Sequence, residues 1–160
     1  AGADGYRIYG AKCGKSFKLV KTIKNGKTVK WTQKGLKAGT YYKYYVIGYK
    51  TVNGKPVTIS RTANIHMPTT GKGLGYAKTL KLNKKKITIA KGKSAKIKAT
   101  VTYTNDNLRK HVPALRYLSS DKKIASVNSK GVIKGKKKGT CTIYCYTQNG
   151  LCKKVKVKVK

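Results

Sequence analysis

The sequence predicts an all-β chain built as two sandwiches in tandem. Three observations carry that prediction. Short runs alternating apolar and polar residues recur along the whole length, as half-buried strands require. Asn-Gly pairs at 25–26, 53–54 and 149–150 stand between such runs, and Asn-Gly is the strongest short hairpin signal. One stretch, PTTGKGLGYA at residues 68–77, holds three Gly and a Pro without periodicity and separates two halves.

The elements follow in order. Before the boundary come GYRIYGAK (5–12), FKLVKTI (17–23), TVKWTQ (28–33), TYYKYYVIGYK (40–50) and VTISRTANI (57–65). After it come TLKLN (79–83), KITIA (86–90), AKIKATVTY (95–103), ALRYLSS (114–120), IASVN (124–128), GVIKG (131–135), TCTIYCYT (140–147) and CKKVKVKVK (152–160). Val, Ile and Tyr dominate these runs, and such residues suit a pleated, half-buried surface. No stretch keeps a helical period. No apolar run approaches the ~20 residues of a membrane helix. The chain opens AGADGYRIYG, without an initiator Met or a signal peptide, which reads as a piece of a longer protein.

Composition bounds the partners. Of 160 residues, 39 are Lys or Arg and only 3 are Asp or Glu, a formal charge of +36. The carboxylates are Asp4, Asp106 and Asp121. A chain so basic repels itself when compact, so it is expected to meet a polyanion or a salty medium. Lys runs recur at Lys84-Lys85-Lys86, Lys91 and Lys93, Lys122-Lys123, Lys136-Lys137-Lys138 and Lys153-Lys154. They read either as solvated surface with edge protection or as a polyanion footprint; Lys84, Lys85, Lys86, Lys136, Lys137 and Lys138 are the candidate contacts. In the terminal VKVKVK, Val155, Val157 and Val159 are expected inside and Lys154, Lys156 and Lys158 outside.

Catalytic and metal constellations find little support. Three scattered carboxylates make a glycosidase pair improbable. His66 and His111 lie in different halves and are expected to be exposed and idle. Ser119-Ser120-Asp121 has no His close in sequence. No metal or other cofactor is expected. Cysteines stand at 13, 141, 145 and 152. Cys141 and Cys145 share one strand and would lie roughly 13 Å apart at ~3.3 Å per residue, beyond the ~7 Å a disulfide tolerates. A two-residue turn at Asn149-Gly150 would pair Thr147 with Cys152 and leave Cys145 diagonal, at the edge of reach. Buried free thiols are the expectation.

Two resemblances refine this. Residues 1–68 resemble a fibronectin type III domain through Ala3-Asp4-Gly5-Tyr6-Arg7-Ile8-Tyr9, Gly35-Leu36-Lys37-Ala38-Gly39-Thr40-Tyr41-Tyr42 and the run from Tyr44 through Val46 to Tyr49. In that family a Leu, a Gly-Thr pair and a Tyr form a corner whose hydroxyl bonds back to the backbone; Leu36 and Tyr42 fit. The family has seven strands and about 100 residues, so residues 1–68 are expected to lack the first two strands. The inner face of Tyr6, Ile8, Leu36, Tyr42 and Val46 would be open, and strand 27–32, with Trp31, would be an edge. Residues 78–160 resemble the bacterial immunoglobulin-like domain of group 2. The matching positions are Lys86-Ile87-Thr88-Ile89, Gly92, the run from Ser119 to Val127, Lys130-Gly131-Val132-Ile133 and Gly139-Thr140 to Ile143, with Tyr117 where the family usually has Trp. The implied architecture is two immunoglobulin-like sandwiches, 1–68 and 78–160, joined by a linker at 69–77.

The fibronectin resemblance turns Tyr42, Tyr44 and Val46 inward. Arg7, Tyr9, Lys43, Tyr45 and Tyr49 then form an outer aromatic and basic face, with Ile47 among them. That face is a ligand platform, a self-stabilised sheet surface or a contact for a neighbouring domain or copy. Neither family brings catalytic residues. The expected function is a non-catalytic region of an exported bacterial surface protein, associated with the cell wall. It would act in adhesion or display and bind anionic wall or host glycan polymers. Two other readings fit the same residues: accessory domains of a larger extracellular enzyme, and a nucleic-acid-binding module. Against the second, no recognition helix or RNA-binding signature is present.

Overall fold

The computed structural model describes residues 2–71, 74–104 and 115–160. Among these residues every regular element is a strand. The chain divides into two compact units, Ala1–Leu74 and Gly75–Lys160.

The first unit is one antiparallel sheet. Its strands are β1 (Gly5–Lys12), β2 (Lys18–Ile23), β3 (Tyr41–Val52), β4 (Lys55–Arg61) and β5 (Ile65–Pro68), in the order β2-β1-β3-β4, with β5 also against β3. The hairpin β3–β4 closes at Asn53-Gly54, whose φ angles of 49° and 72° give the twist a two-residue hairpin needs. The run at 57–65, expected as one strand, breaks after Arg61. There the Thr62 N–H donates to the Val46 carbonyl, and Thr62 Oγ1 accepts from the Val46 N–H. The corner of residues 36–42 forms as the sequence suggests: the Lys37 N–H donates to Tyr42 Oη at 3.2 Å.

TVKWTQ is not a strand, and residues 27–32 are not an edge. The Asn-Gly pair at 25–26 does turn, with the Thr28 N–H donating to the Asn25 carbonyl. The chain then crosses the sheet face. Tyr6 Oη donates to the Gly26 carbonyl, and Tyr44 Oη donates to Gln33 Oε1, both at 2.9 Å. These two anchors hold residues 26–33 over the face, so the segment forms one wall of a groove of about 780 Å³. Ile8, Ile23, Trp31, Leu36, Val46 and Met67 line its apolar part.

The second unit is a sandwich. Its strands are β6 (Ala77–Leu82), β7 (Lys86–Ile89), β8 (Ser94–Lys96), β9 (Ala99–Tyr103), β10 (Arg116–Ser119), β11 (Ala125–Val127), β12 (Val132–Gly135), β13 (Gly139–Tyr146) and β14 (Cys152–Val159). A four-stranded sheet β10-β13-β14-β7 and a three-stranded sheet β11-β12-β8 share one core, and β6 pairs with β9. The run AKIKATVTY, expected as one strand, splits at Ile97–Lys98. The Ile97 N–H goes to the Gly131 carbonyl and the Lys98 N–H to Asn83 Oδ1, so the chain changes sheet at a corner. The core holds Ile87, Ile89, Ile97, Ile133, Cys141, Ile143 and the three Val of β14. Val155 and Val157 are 0% exposed, as the alternation requires.

Candidate binding faces

The outer face of the first sheet assembles most of the expected residues. β1 and β3 pair Tyr9 with Tyr45 and Arg7 with Ile47. The rings of Tyr9 and Tyr45 stack at 4.8 Å, and Phe17 meets Tyr45 edge-on at 4.8 Å. The Arg61 guanidinium lies 3.9 Å from the Tyr45 ring centroid. Lys43 Nζ lies 4.5 Å from the Phe17 centroid, and the Arg7 guanidinium 5.6 Å from that of Tyr49. Tyr45 therefore has Tyr9 of β1 on one side and Arg61 of β4 on the other. Tyr49, expected outside, is only 8% exposed. Its ring lies over Gly5, where no Cβ competes, and its hydroxyl reaches the Ile23 carbonyl at 3.4 Å. Sequence reasoning missed Phe17 and Arg61.

His66 is not idle. It is half-buried, with Nδ1 3.3 Å from Cys13 Sγ. Burial raises the Cys13 thiol pKa, while the nearby Lys43 ammonium lowers it. His111 lies outside the described residues. Among the described residues no group of three His, Cys, Asp or Glu could hold a metal ion.

In the second unit the two Lys triplets lie on opposite sides of β14. Lys86 opens β7, in parallel register with Lys156, and the Lys85 carbonyl accepts from the Lys156 N–H. Lys136–138 precede β13, with the N–H groups of Lys136 and Lys137 both donating to the Ile124 carbonyl. All six side chains are exposed. The row Lys154, Lys156, Lys158 runs between the triplets. Edge protection does not account for this row, because β14 is an interior strand between β13 and β7.

Both described carboxylates are held by backbone N–H groups. Asp4 Oδ2 accepts from Thr51 at 2.8 Å, and Asp121 Oδ1 accepts from Lys123 at 2.8 Å and Ile124 at 3.4 Å. Asp106 lies outside the described residues. Ser119 Oγ donates to the Ala125 carbonyl, and Ser120 Oγ accepts from the Thr142 N–H, so the Ser-Ser-Asp run builds a turn.

All four cysteines are free. The loop after β13 is one residue longer than a two-residue turn, so Tyr146, not Thr147, pairs with Cys152. Cys145 therefore points into the core with Ile143, and Cys152 lies on the opposite face of the sheet. Burial raises the Cys145 and Cys141 thiol pKa values. It pushes the Tyr117 hydroxyl up to about 12, with Cys145 adding to the shift.

The signature described as Bacterial Ig-like domain (group 2) matches residues 76–159, just over half of the 160-residue chain. The chain belongs to that family. In this bacterial Ig-like domain, Tyr117 packs over Gly131, whose φ of 74° is one that glycine adopts readily. Among curated proteins, Kappa-carrageenase of Pseudoalteromonas carrageenovora is 39% identical over 71 residues. That alignment covers 44% of this chain and 17% of the relative, so the chain spans under a fifth of that protein's length. Solved structures similar to this chain include domains 4 and 5 of the S-layer protein SbsC, at 20% identity and a TM-score of 0.44. They cover 74% of this chain and 64% of that one. An intimin mutant from EHEC O157:H7 is 16% identical, with a TM-score of 0.41, covering 52% and 47%.

Proposed function

We propose that the chain is a non-catalytic pair of β-modules from an exported bacterial protein, acting at the cell surface in adhesion or display. It holds anionic polymers, wall or host glycans, through dispersed lysines. One observation carries this reading: 39 basic residues face 3 acidic ones, and both described carboxylates already serve backbone N–H groups. Lysines that no carboxylate can neutralise attract a polyanion, and each contact releases counterions. The rings of Tyr9 and Tyr45 on the first unit's outer face pack against their own neighbours, so this face offers the charge of Arg7 and Lys43, not stacking. The fibronectin-like reading of residues 1–68 is supported by the Lys37–Tyr42 corner bond. A single five-stranded sheet with a groove on one face is also what such a domain would present without two strands.

A second reading makes the chain an accessory region of an extracellular enzyme. It is favoured by the match to a short part of Kappa-carrageenase. In that reading the region is a spacer or a carbohydrate-binding part, and both readings keep it inactive.

Chromatography on a sulfated-glycan column tests the proposal. Retention is expected at low salt. With four contacts, affinity should drop about a hundredfold between roughly 50 and 200 mM salt, taking the counterion coefficient of nucleic acid. Absence of retention at low salt would overturn the proposal.

A further inference from the structure

On the outer face of the four-stranded sheet in the second unit, aromatic and basic side chains meet. Tyr144 and Tyr146 stand side by side on β13, their ring centroids 6.1 Å apart and their planes 19° from parallel. The two rings stack on each other and both are half-exposed. On the adjacent strand Lys154 Nζ lies over the Tyr144 ring, 5.6 Å from its centroid. Lys156 and Lys158 continue the row, about 6.7 Å apart by strand geometry. Lys86 of β7 is the direct neighbour of Lys156.

Like charges set beside each other on a sheet are destabilising. None of the four strands contains an Asp or Glu to offset them. The row lies on an interior strand, so it does not guard an edge. Cations gathered there attract an anionic partner. Half-exposed rings and cations together suit a polymer with an apolar ring face and repeated anionic substituents.

We infer that this face is the seat of an anionic polysaccharide. A sugar ring lies on Tyr144 and Tyr146, while its sulfate or carboxylate groups meet Lys154, Lys156, Lys158 and Lys86. This rests on the polyanion reading above and localises it. In the first unit the corresponding cations cover the rings themselves, with Arg61 over Tyr45 at 3.9 Å. Here Lys154 lies over Tyr144 at the longer distance of 5.6 Å, and both rings stay half-exposed.

The test uses the full chain and dextran sulfate, with neutral dextran and single-stranded DNA as comparison probes. The triple variant Lys86→Gln, Lys154→Gln, Lys156→Gln is set against Lys136→Gln, Lys137→Gln, Lys138→Gln, which removes the same charge elsewhere. The first triple should weaken dextran sulfate binding about a hundredfold near 0.1 M salt, and flatten the slope of log affinity against log salt by about one unit per lysine. The second should change affinity less than about threefold. Neither should lower Tm, since both relieve repulsion. Tyr144→Thr, a substitution suited to a strand, should weaken dextran sulfate binding about fivefold. Equal losses from both triples would overturn the localisation and leave the polyanion reading standing. Failure of the unmodified chain to bind dextran sulfate at low salt would remove both. Tighter binding to the DNA, with the same dependence on Tyr144, would make this a nucleic-acid face and overturn the inference.

Discussion

The second unit buries Ile133, Ile143, Val155 and Val157 completely between two sheets, whereas the first has one sheet and, among the described residues, only Ile8 and Tyr49 as buried large side chains. The second is held by aliphatic burial, at about 1.5–3 kcal/mol for each fully buried Val or Ile. The first is held by ring contacts across strands, by Tyr packed over Gly, and by two hydroxyl anchors on an irregular segment. A strand pattern can thus be satisfied by a closed core or by a laddered surface. The two differ in what a single truncation removes.

The sharpest test truncates one aliphatic in each unit. Ile143→Ala leaves a cavity between sheets and should cost about 2–5 kcal/mol. Val46→Ala widens a groove already open to water and should cost about 1 kcal/mol or less, since no closed cavity forms. Urea unfolding followed by tyrosine and tryptophan fluorescence separates the units, because Trp31 reports only on the first. Equal losses would mean that the groove of the first unit is closed in solution.

The next test acts through glycine. Gly10 lies opposite Tyr44, and an added Cβ would run into that ring. Gly10→Ala should destabilise the first unit by about 1–3 kcal/mol, the usual cost of overpacking. With Tyr44→Ala already present, the same change should cost much less. Additive losses would show that the ring does not rest on Gly10.

A pH series probes the second core. An unfolded tyrosine ionises near 10, whereas half-buried Tyr117 holds its proton to about 12. Between those values the unfolded state binds fewer protons, so stability is fully present below pH 10 and falls as pH rises through the window. Lysine deprotonation works the other way over the same range by relieving repulsion. The informative quantity is therefore the difference between the parent chain and Tyr117→Phe. The variant's Tm should fall less between about pH 10 and 12; parallel curves would place Tyr117 in solvent.

The same contrast explains what could be read in advance. β14 and the β3–β4 hairpin were legible because one face is buried and the turn is local: alternation and Asn53-Gly54 suffice. TVKWTQ carries the same alternation, yet the hydroxyls of Tyr6 and Tyr44 capture it across the sheet, and no local pattern records that. At Asn149-Gly150 the Asn149 side chain donates to the distant Ala77 carbonyl and accepts from Thr147 Oγ1, and the loop is one residue longer than the hairpin rule expects. One residue of register moves a side chain to the other face, which puts Cys145 and Cys152 on opposite sides. In the candidate site, Arg7, Tyr9, Lys43 and Tyr45 followed from parity. Phe17 and Arg61 did not, because bulges at Ile8/Tyr9 and at Gly48/Tyr49 shift the registers of β2 and β4 by one. Without the second bulge Arg61 would face the groove. A bulge leaves no mark in an alternating run.

The smallest expected effect lies on that outer face. Arg61 also donates to the Asn64 side chain at 3.0 Å, so its guanidinium is oriented before it meets Tyr45. An exposed cation–π contact contributes about 0.5–1 kcal/mol, and removing one positive charge from a chain of +36 returns part of that by easing repulsion. Arg61→Ala should therefore destabilise the first unit by about 0.5 kcal/mol at moderate salt. Arg61→Lys should recover only part of the loss, because an ammonium cannot lie flat on a ring as a guanidinium does. The two contributions separate with ionic strength: salt screens the repulsion more than the close contact, so the loss should grow as salt is raised. A loss that shrinks with salt would mean that Arg61 acts through a distant charge, and the ladder of Tyr9, Tyr45 and Arg61 would then contribute packing only.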